Sequence, residues 1–268
     1  MSKIQSEFLL PAMTLWRREV VRFVRQKSRV IGALGTPAIF WLVIGSGLGR
    51  SFRIPGQDAS VDFLQYSFPG TVILIVLFTA IFAMISIIED RREGFLQAVL
   101  VSPASRFSIV MGKVMGSTTL AVAQALLFVC LAPLCGIKLS MGGFLASAGV
   151  LVIVSVGLSA LGFVIAWPMS STQGFHAVMN LFLIPLWLLS GAFFPASGSM
   201  TGLRWIMAAN PLTYGLAAFR HVLYGGDHVL VEALPSLGLS LGVSVAFASV
   251  MVMLSAYLVG RRPGETTG

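Results

Sequence analysis

Residues 89–106 of the chain read EDRREGFLQAVLVSPASR, and they separate two long apolar runs. The stretch opens with five consecutive charged side chains and continues with a short apolar ladder. Charged side chains are costly inside the lipid. A charged stretch between two apolar runs therefore fits a loop between two membrane spans. The stretch therefore indicates a membrane protein with several spans, provided that the flanking runs are long enough.

The composition of the whole chain supports this interpretation. Hydrophobic residues make up 56% of the chain and charged residues 10%, whereas soluble domains carry about 25% charged residues. A helix needs about 20 apolar residues to cross the hydrocarbon, and backbone in lipid must satisfy its own hydrogen bonds. We therefore predict an all-α integral membrane protein with six transmembrane helices, at 30–49, 67–88, 109–131, 144–167, 175–194 and 237–259.

The distribution of basic residues predicts the orientation. With six spans both termini lie on one side, and that side collects most of the 18 Lys and Arg residues. By the positive-inside rule, both termini and the loop 89–106 lie in the cytoplasm. We expect the membrane to be a bacterial inner membrane. The net charge of +8 then reports topology and some attraction to anionic lipid, and not nucleic acid. The transmembrane domain covers 30–268, so no room remains for a soluble catalytic domain.

The N-terminal segment, residues 1–29, predicts an amphipathic helix. On a helical wheel its arginines gather in one stripe and its apolar side chains lie opposite. The basic stripe comprises Arg18, Arg22, Arg25 and Arg29, and the apolar face comprises Met13, Trp16, Val20, Phe23 and Val24. We expect this helix to lie in the cytoplasmic interface of the membrane. The alternative is a basic flank that only fixes the topology.

The opening stretch predicts a short helix with one apolar face. Glu89 and Glu93 favour a helix start through the helix dipole, and Pro103 ends the helix. Four apolar side chains recur between them at helical spacing: Phe95, Leu96, Val99 and Leu100. A helix that is too short to span and apolar on one side fits a groove on another protein. The two acids either pair with Arg91, Arg92 or basic residues of that partner, or lie free in solvent.

The segment 195–236 contains two apolar pieces that are too short to span. Asn210 and Pro211 divide them, as turn-forming residues do. We predict short re-entrant helices near the outer face of the membrane. Arg220 in this segment either pairs with Asp227 or Glu232, or lies at the surface with its charge in water.

Two motifs carry a resemblance to a known family. The first comprises Glu89, Glu93 and Gly94, then Leu100 and the SPASR of 102–106. The second comprises LSGAFFP at 189–195, then NPLTY at 210–214 and Arg220. Together with six spans in the same order, they resemble the permease subunits of ATP-binding-cassette exporters of the drug and polysaccharide export class, the type-2 ABC permeases.

The resemblance implies how such a chain works. These permeases pair as dimers, and each copy holds a cytoplasmic ATPase subunit against the loop between spans two and three. Residues 89–106 would then be the coupling helix. The resemblance assigns the coupling contacts to Glu89, Glu93, Gly94, Phe95, Leu96, Val99, Leu100 and Pro103. In the outer segment it points to Asn210, Pro211, Tyr214 and Arg220.

The chain is expected to have no nucleotide site of its own. A phosphate-binding loop needs G-x-x-x-x-G-K-[ST], and the nearest segment, 111–114, lacks the first glycine and the final hydroxyl. ATP and Mg²⁺ are therefore expected in the partner ATPase, and the chain itself is expected to be a transport subunit without catalytic residues or cofactor. Its three histidines show no metal spacing, so no metal is expected.

We expect the substrate to move outward by alternating access along an apolar surface from spans one, two and five. The candidate lining residues are Phe40, Trp41, Phe78, Phe82, Phe182 and Trp187. Aromatic residues at such positions more often serve helix packing or lipid contact. An apolar surface of this kind suits an amphipathic drug, a lipid or a lipid-linked glycan.

Two other functions fit the same residues less well. An ion-coupled secondary transporter usually carries ionisable side chains inside its spans, and the middles of the six spans hold no Asp, Glu, Lys or Arg. An intramembrane serine protease needs a serine in a tight glycine motif, such as Gly45-Ser46-Gly47 or Ser190-Gly191, and a histidine at the same depth. Small residues also let helices pack closely, which explains both motifs more simply.

Overall fold

A computed structural model of the chain describes residues 8–48, 62–195, 200–225 and 228–260. All regular structure in these ranges is helical, as the sequence predicts. The α-helices are α1 (Leu10–Arg25), α2 (Lys27–Leu48), α3 (Phe63–Phe82), α4 (Ile85–Arg92), α5 (Phe95–Val101), α6 (Arg106–Val129), α7 (Met141–Ala166), α8 (Thr172–Trp187), α9 (Thr201–Ala209), α10 (Pro211–Tyr224), α11 (His228–Val231) and α12 (Leu237–Gly260). A 3₁₀ turn at Ala132–Cys135 follows α6, and a π-helical segment at Leu188–Ala192 continues α8.

Five helical segments in the described part of the chain are long and apolar enough to cross a membrane. They are Phe63–Arg92, Arg106–Val129, Met141–Ala166, Thr172–Ala192 and Leu237–Gly260, and they match five of the six predicted spans. The first predicted span, 30–49, falls on α2, whose apolar stretch is Leu34–Gly45. That stretch is shorter than the roughly 20 residues that cross the hydrocarbon, so the span at 30–49, and with it the number of six spans, stays a prediction.

Side-chain caps fix where the long helices begin. Ser105, Ser140 and Ser171 precede α6, α7 and α8, and each hydroxyl accepts a hydrogen bond from a backbone N–H of the first turn. Asp62 caps α3 in the same way. These caps satisfy N–H groups that a helix start leaves unpaired, so the chain enters each of these helices at a defined residue.

Glycines allow the helices to approach closely. A Cβ atom at Gly162 of α7 would lie 3.0 Å from the Cα atom of Ile81 in α3, and one at Gly112 of α6 would lie 2.6 Å from the Cβ atom of Leu15 in α1. Close approach at small residues favours helix association in lipid. Gly45 of α2 likewise faces a leucine of α3, so its motif serves packing.

The helix α8 is interrupted near its end. Pro185 lies inside it, and the π-helical continuation holds Gly191 at φ +84°, a left-handed conformation that glycine adopts without strain. The hydroxyl of Ser190 donates to the carbonyl of Trp187 at 2.6 Å within the same segment. The Ser190-Gly191 pair therefore belongs to the helix break.

The segment after α8 contains the short helices α9, α10 and α11 in its described residues. α9 ends at Ala209 and α10 begins at Pro211, which is the division that the sequence predicts. The Oδ1 of Asn210 accepts a hydrogen bond from the N–H of Leu212 at 2.9 Å, and its Nδ2 donates to the carbonyl of Leu186 at 2.7 Å. Since Leu186 lies in α8, Asn210 both caps α10 and ties it to that span.

Candidate functional site

Two helices between α3 and α6 meet at Gly94: α4, which forms the last part of the apolar segment Phe63–Arg92, and α5. α4 carries Glu89 and Asp90 towards its end, and α5 is only seven residues long. Gly94 has φ +77°, which lets the chain turn sharply between the two helices. The prediction that Glu89 and Glu93 begin the following helix is therefore wrong, because these acids lie at the end of α4 and beyond it.

The apolar ladder of α5 contacts its own chain. Leu96 is buried in the hydrophobic core, and Leu100 packs against that core. The guanidinium of Arg18 lies 3.9 Å from the centre of the Phe95 ring, a cation–π arrangement. The ladder thus fastens α5 to the bundle, and the open surface of the helix is at Val101, which is 87% exposed.

Asp90 is the centre of a group of buried charges. Its carboxylate is fully buried and accepts a bidentate pair of hydrogen bonds from Arg18, at 2.7 and 2.9 Å. Arg22 donates to it at 2.9 Å, and Lys113 also binds it. Burial disfavours the charged guanidinium of Arg18, but the hydrogen bond to Asp90 and its charge outweigh this and hold the pKa of Arg18 above its ordinary value. Charges therefore join α1 to α4.

Lys113 of α6 binds both of these helices. Only 1% of the residue is exposed, and its Nζ donates to Oε1 of Glu19 at 2.5 Å, to Oγ of Ser86 at 3.0 Å and to Oδ2 of Asp90. Glu19 lies on α1, whereas Ser86 and Asp90 lie on α4. All three protons of the ammonium group thus have a partner, and one buried lysine links three helices.

Glu89 and Glu93 also pair with α1. The Nη2 of Arg22 lies 2.8 Å from Oε2 of Glu89 and 3.5 Å from Oε1 of Glu93. Of the two expectations for these acids, the structure favours ion pairing, with an arginine of α1 as a partner that the sequence did not indicate. We call Arg18, Glu19, Arg22, Glu89, Asp90 and Lys113 the charged cluster.

Arginines of the same loop bind backbone carbonyls. Arg91 donates to the carbonyl oxygens of Trp167 and of Met169, the latter at 2.9 Å, and Arg92 donates to that of Ser170 at 3.0 Å. These carbonyls lie between the end of α7 and the start of α8, where a helix end leaves carbonyls unpaired and favours cations. The loop therefore contacts α1, α6 and the α7–α8 connection.

A cavity of about 680 Å³ opens between α2, α3 and α8. Phe40, Phe78, Phe82 and Trp187 line it, so four of the six candidate lining residues come together. The rings of Phe40 and Trp187 are 6.2 Å apart, and those of Phe78 and Phe82 are 5.4 Å apart. Neighbouring aromatic rings give the cavity flat, apolar walls.

The other two candidate lining residues lie elsewhere. Trp41 is buried against α3, where its Nε1 donates to the carbonyl of Leu64 at 3.1 Å and its ring meets Phe68 edge-on. Phe182 on α8 is 62% exposed and outside the cavity lining. Neither side chain therefore contributes to this cavity.

The polar groups of the cavity lining include Gln26 and His176. Gln26 joins α1 to α2, and His176 lies in α8 with its ring 5.0 Å from that of Phe82. Phe23 of α1 and Ile85 of α4 also belong to the lining. The lining within the described residues carries no Asp, Glu, Lys or Arg, so the cavity suits a largely apolar molecule.

At the opposite end of the bundle, α10 is fastened to α3 and to the break in α8. Arg220 is buried, and its Nη2 donates to the carbonyls of Tyr66 and Gly191 at 3.3 and 3.1 Å. The hydroxyl of Tyr66 donates to the same oxygen of Gly191 at 3.1 Å. The expectation of a surface arginine with its charge in water is therefore wrong, because Arg220 binds carbonyls at a helix break.

Two tyrosines of α10 add further links. The hydroxyl of Tyr224 donates to the carbonyl of Gln65 at 2.5 Å. Pro69, four residues further along α3, has no N–H to offer that carbonyl, so the tyrosine replaces the missing helical bond. Tyr214 donates to the carbonyl of Ala208 at 2.9 Å and joins α10 to α9.

Comparison with known proteins decides the family. The family model described as "ABC-2 type transporter" matches residues 12–224, from α1 to the end of α10. The chain belongs to the ABC-2 type transporter family. The matched range contains the charged cluster, the cavity and the contacts of Arg220.

Relatives of this permease include two bacterial proteins. It is 23% identical over 259 residues to nodulation protein J of Rhizobium leguminosarum bv. viciae, and the match covers 93% of this chain and 94% of that protein. It is 23% identical over 251 residues to the daunorubicin resistance ABC transporter permease protein DrrB1 of Streptomyces coeruleorubidus, with 91% and 83% covered. These matches identify the chain as a membrane permease of an ABC exporter.

The ABC-2 permease carries candidate residues that the sequence patterns did not single out. Lys113 lies inside the third predicted span but near its start, so the positive-inside prediction counts it among the cytoplasmic charges. Glu19 falls in line with Leu15 and Phe23 on the buried face of α1. A lysine inside a span needs a carboxylate partner, and an acid on an apolar face is the signal that could have supplied one. Among the residues that the structure describes, no group of three or more His, Cys, Asp or Glu is placed to hold a metal ion.

Proposed function

We propose that this permease is the membrane subunit of an ATP-driven exporter that moves an amphipathic substrate outward by alternating access. A separate ATPase subunit binds ATP and Mg²⁺, and two permease copies, identical or paralogous, form a dimer in a bacterial inner membrane. In this proposal α2 forms the first span and brings the number of spans to six. α1 lies in the cytoplasmic interface of the membrane, and α9 to α11 are re-entrant helices on its outer side. Both termini and the loop 89–106 face the cytoplasm. The main support for this proposal is the position of α5, which packs against the bundle on one face and is exposed on the other.

The open surface of α5 is the proposed docking site of the ATPase. Val101 is 87% exposed, and Gln97, Ala98 and Pro103 are exposed near it. The buried face of α5 and the charges of its loop already contact α1, α6 and the α7–α8 connection. A displacement of α5 by the ATPase would therefore reach three parts of the bundle.

Replacing Val101 with aspartate is expected to weaken ATPase binding at least about tenfold, because an unpaired charge is costly to bury in a protein contact. The measurement is co-purification of the ATPase with the permease in mild detergent, followed by an ATP hydrolysis assay. Leu134→Asp is the matched control, since Leu134 is 82% exposed and lies at the opposite end of the bundle. Two differently tagged permease copies in the same preparation test the dimer.

Three outcomes of this experiment are informative. Loss of the ATPase with Val101→Asp alone supports docking through α5 and places this end of the bundle in the cytoplasm, where ATP is. Equal retention of the ATPase by both variants contradicts docking at α5. If the unaltered permease brings down neither an ATPase nor a second copy, the proposed function itself is wrong.

The cavity between α2, α3 and α8 is the proposed site of the substrate. Its volume of about 680 Å³ lies within the roughly 300–1,000 Å³ of drug-sized ligand sites. Aromatic walls with a few polar groups favour a compact amphipathic molecule with a flat apolar part over a long glycan. One relative is named for daunorubicin resistance, which is consistent with this substrate class.

Filling the cavity is expected to block transport. Ile184 lines the cavity and is 50% exposed, so Ile184→Trp places an indole in the space that the substrate needs and should lower ATP-driven efflux about tenfold or more, given the loss of shape fit. Val250→Trp is the control, because Val250 of α12 is also 50% exposed but lies outside the cavity lining. Equal efflux by both variants in vesicles would contradict the assignment of the cavity.

A further inference from the structure

The helices that carry the charged cluster contact both the proposed docking helix and the cavity: Arg18 of α1 lies over the Phe95 ring of α5, and Phe23 of α1 and Ile85 of α4 line the cavity. α1 is joined to α2 by the single residue Gln26, and both Gln26 and residues of α2 line the cavity. α1 packs along α6, where Cβ atoms at Gly112 and Gly116 would collide with Leu15 and Glu19. A shift of α1 along this groove would therefore move one wall of the cavity.

Lys113 is the only residue of α6 in the charged cluster. Its ammonium group holds Glu19 of α1 and Asp90 of α4 at the same time, while Ser86 takes the third proton. Leu96 and Phe95 hold α5 against this region through the core and through Arg18. The lysine thus connects the helix that would receive the ATPase to the helix that leads to the cavity.

We propose that Lys113 is a positioning residue, which links α4 and α5 to α1 through Asp90 and Glu19 so that ATPase-driven movement of α5 is passed to the α2 wall of the cavity. The inference rests on the proposed exporter function. It assigns Lys113 a part in coupling and no contact with the substrate, since Lys113 is absent from the cavity lining.

Stability alone does not explain the choice of charges here. A buried ion pair can often be replaced by apolar residues of similar size with no loss of stability, because the desolvation of the two charges offsets their attraction. An ion pair joins two particular atoms along a defined direction, whereas apolar side chains can slide past each other. Ion pairs are therefore suited to passing a displacement from one helix to another. A charge-free substitution therefore separates the two roles.

The test is the double variant Glu19→Gln/Lys113→Met in the complex with its ATPase. It removes one negative and one positive charge together, and Asp90 keeps its pairs with Arg18 and Arg22. Folding, thermal stability and ATPase binding should stay close to those of the unaltered complex. Substrate transported per ATP hydrolysed should fall about tenfold, within the usual range of coupling between two sites.

The control removes another link between α1 and α6. The Nε1 of Trp16 donates to Oγ1 of Thr119 at 3.0 Å, and Trp16→Phe deletes that bond without changing a charge. This variant should transport per ATP as the unaltered complex does. If both variants lose coupling equally, the contact of α1 with α6 matters and the ion pairs do not, which overturns the proposal.

The remaining outcomes also decide the question. A double variant that folds and transports per ATP at the unaltered rate overturns the role of Lys113. If the double variant does not fold, Glu19→Leu alone replaces it. Leucine cannot bind Lys113, which keeps Ser86 and Asp90 as partners, so unchanged coupling in that variant also overturns the proposal. An unaltered complex that shows no ATP-driven transport refutes the exporter function first, and this inference with it.

Discussion

Replacing Asp90 with alanine is expected to prevent the permease from accumulating in a folded form. The substitution leaves Lys113 buried with one carboxylate fewer and deprives Arg18 and Arg22 of the carboxylate that they share. Removing one partner from a buried ion pair typically costs about 3–5 kcal/mol, a large part of the roughly 5–15 kcal/mol that keeps a domain folded. The measurement is the amount of monodisperse protein in detergent and its unfolding temperature.

The matched control is Glu93→Ala. Glu93 belongs to the same loop and lies 3.5 Å from Arg22, but its side chain is 58% exposed, and exposed pairs contribute only about 0–1 kcal/mol. Its unfolding temperature should therefore stay near that of the unaltered protein. If Asp90→Ala and Glu93→Ala unfold at the same temperature, Asp90 is not buried among Arg18, Arg22 and Lys113, and the proposed role of these contacts in coupling loses its basis.

The spans and their boundaries are the part of the fold that the sequence predicts best. Long apolar runs without charge leave few alternatives to a helix in lipid, and caps such as Ser105 and Ser171 mark where two of these helices begin. The break between α9 and α10 follows from Asn210 and Pro211 for the same local reasons. These features depend on neighbouring residues, so a single sequence contains them.

The facing of α5 could not be predicted in the same way. Its ladder of Phe95, Leu96, Val99 and Leu100 is equally suited to a groove on a partner and to the core of its own chain, since both are apolar. The structure buries Leu96 and leaves Val101 open, so the face that we propose for the ATPase differs from the one that the ladder predicts. Whether the ladder meets a partner or the core of its own chain depends on where α1 and α6 lie relative to the loop. The periodicity of a single helix gives no information about that arrangement.

The cavity lining shows the same limit on a finer scale. Phe40 and Trp41 are adjacent in α2, and neighbouring residues of a helix point in directions about 100° apart. Phe40 therefore lines the cavity while Trp41 packs on α3. The sequence shows which aromatic residues belong to the first, second and fifth predicted spans, but the rotation of each helix decides which of them line the cavity.

Replacing Gly70 with valine is expected to be about as damaging as the loss of Asp90. Gly70 lies in the interior of α3 and faces the break in α8, where an added Cβ atom would lie 2.7 Å from the carbonyl oxygen and 2.8 Å from the Cβ atom of Ala192. The first of these is a backbone atom, so it cannot turn away as a side chain does. The same contact region includes the Trp187 indole, which donates to the carbonyl of Gly70 at 2.7 Å.

The strain from valine at position 70 would also affect two hydrogen bonds between α3 and the α8 segment. Pushing α3 away from α8 would separate Trp187 from Gly70 inside the cavity wall and would pull Tyr66 from the carbonyl of Gly191 at the opposite end. Overpacking of this kind costs about 1–3 kcal/mol, and more where the backbone cannot shift. We therefore expect a much lower unfolding temperature for Gly70→Val, and a smaller decrease for Gly70→Ala, which adds only the Cβ atom.

Gly149→Val distinguishes this close contact from a general effect of valine in a helix. Gly149 lies in the interior of α7, and a Cβ atom there would meet nothing within 4 Å. Exchanging glycine for valine in an open helix position is neutral or mildly stabilising, because glycine is the poorer helix former. An unfolding temperature for Gly70→Val equal to that of Gly149→Val would mean that α3 and α8 do not approach each other at Gly70. A graded loss from alanine to valine at position 70 alone would support the close contact, and with it the cavity and the Arg220 contacts that depend on the same pair of helices.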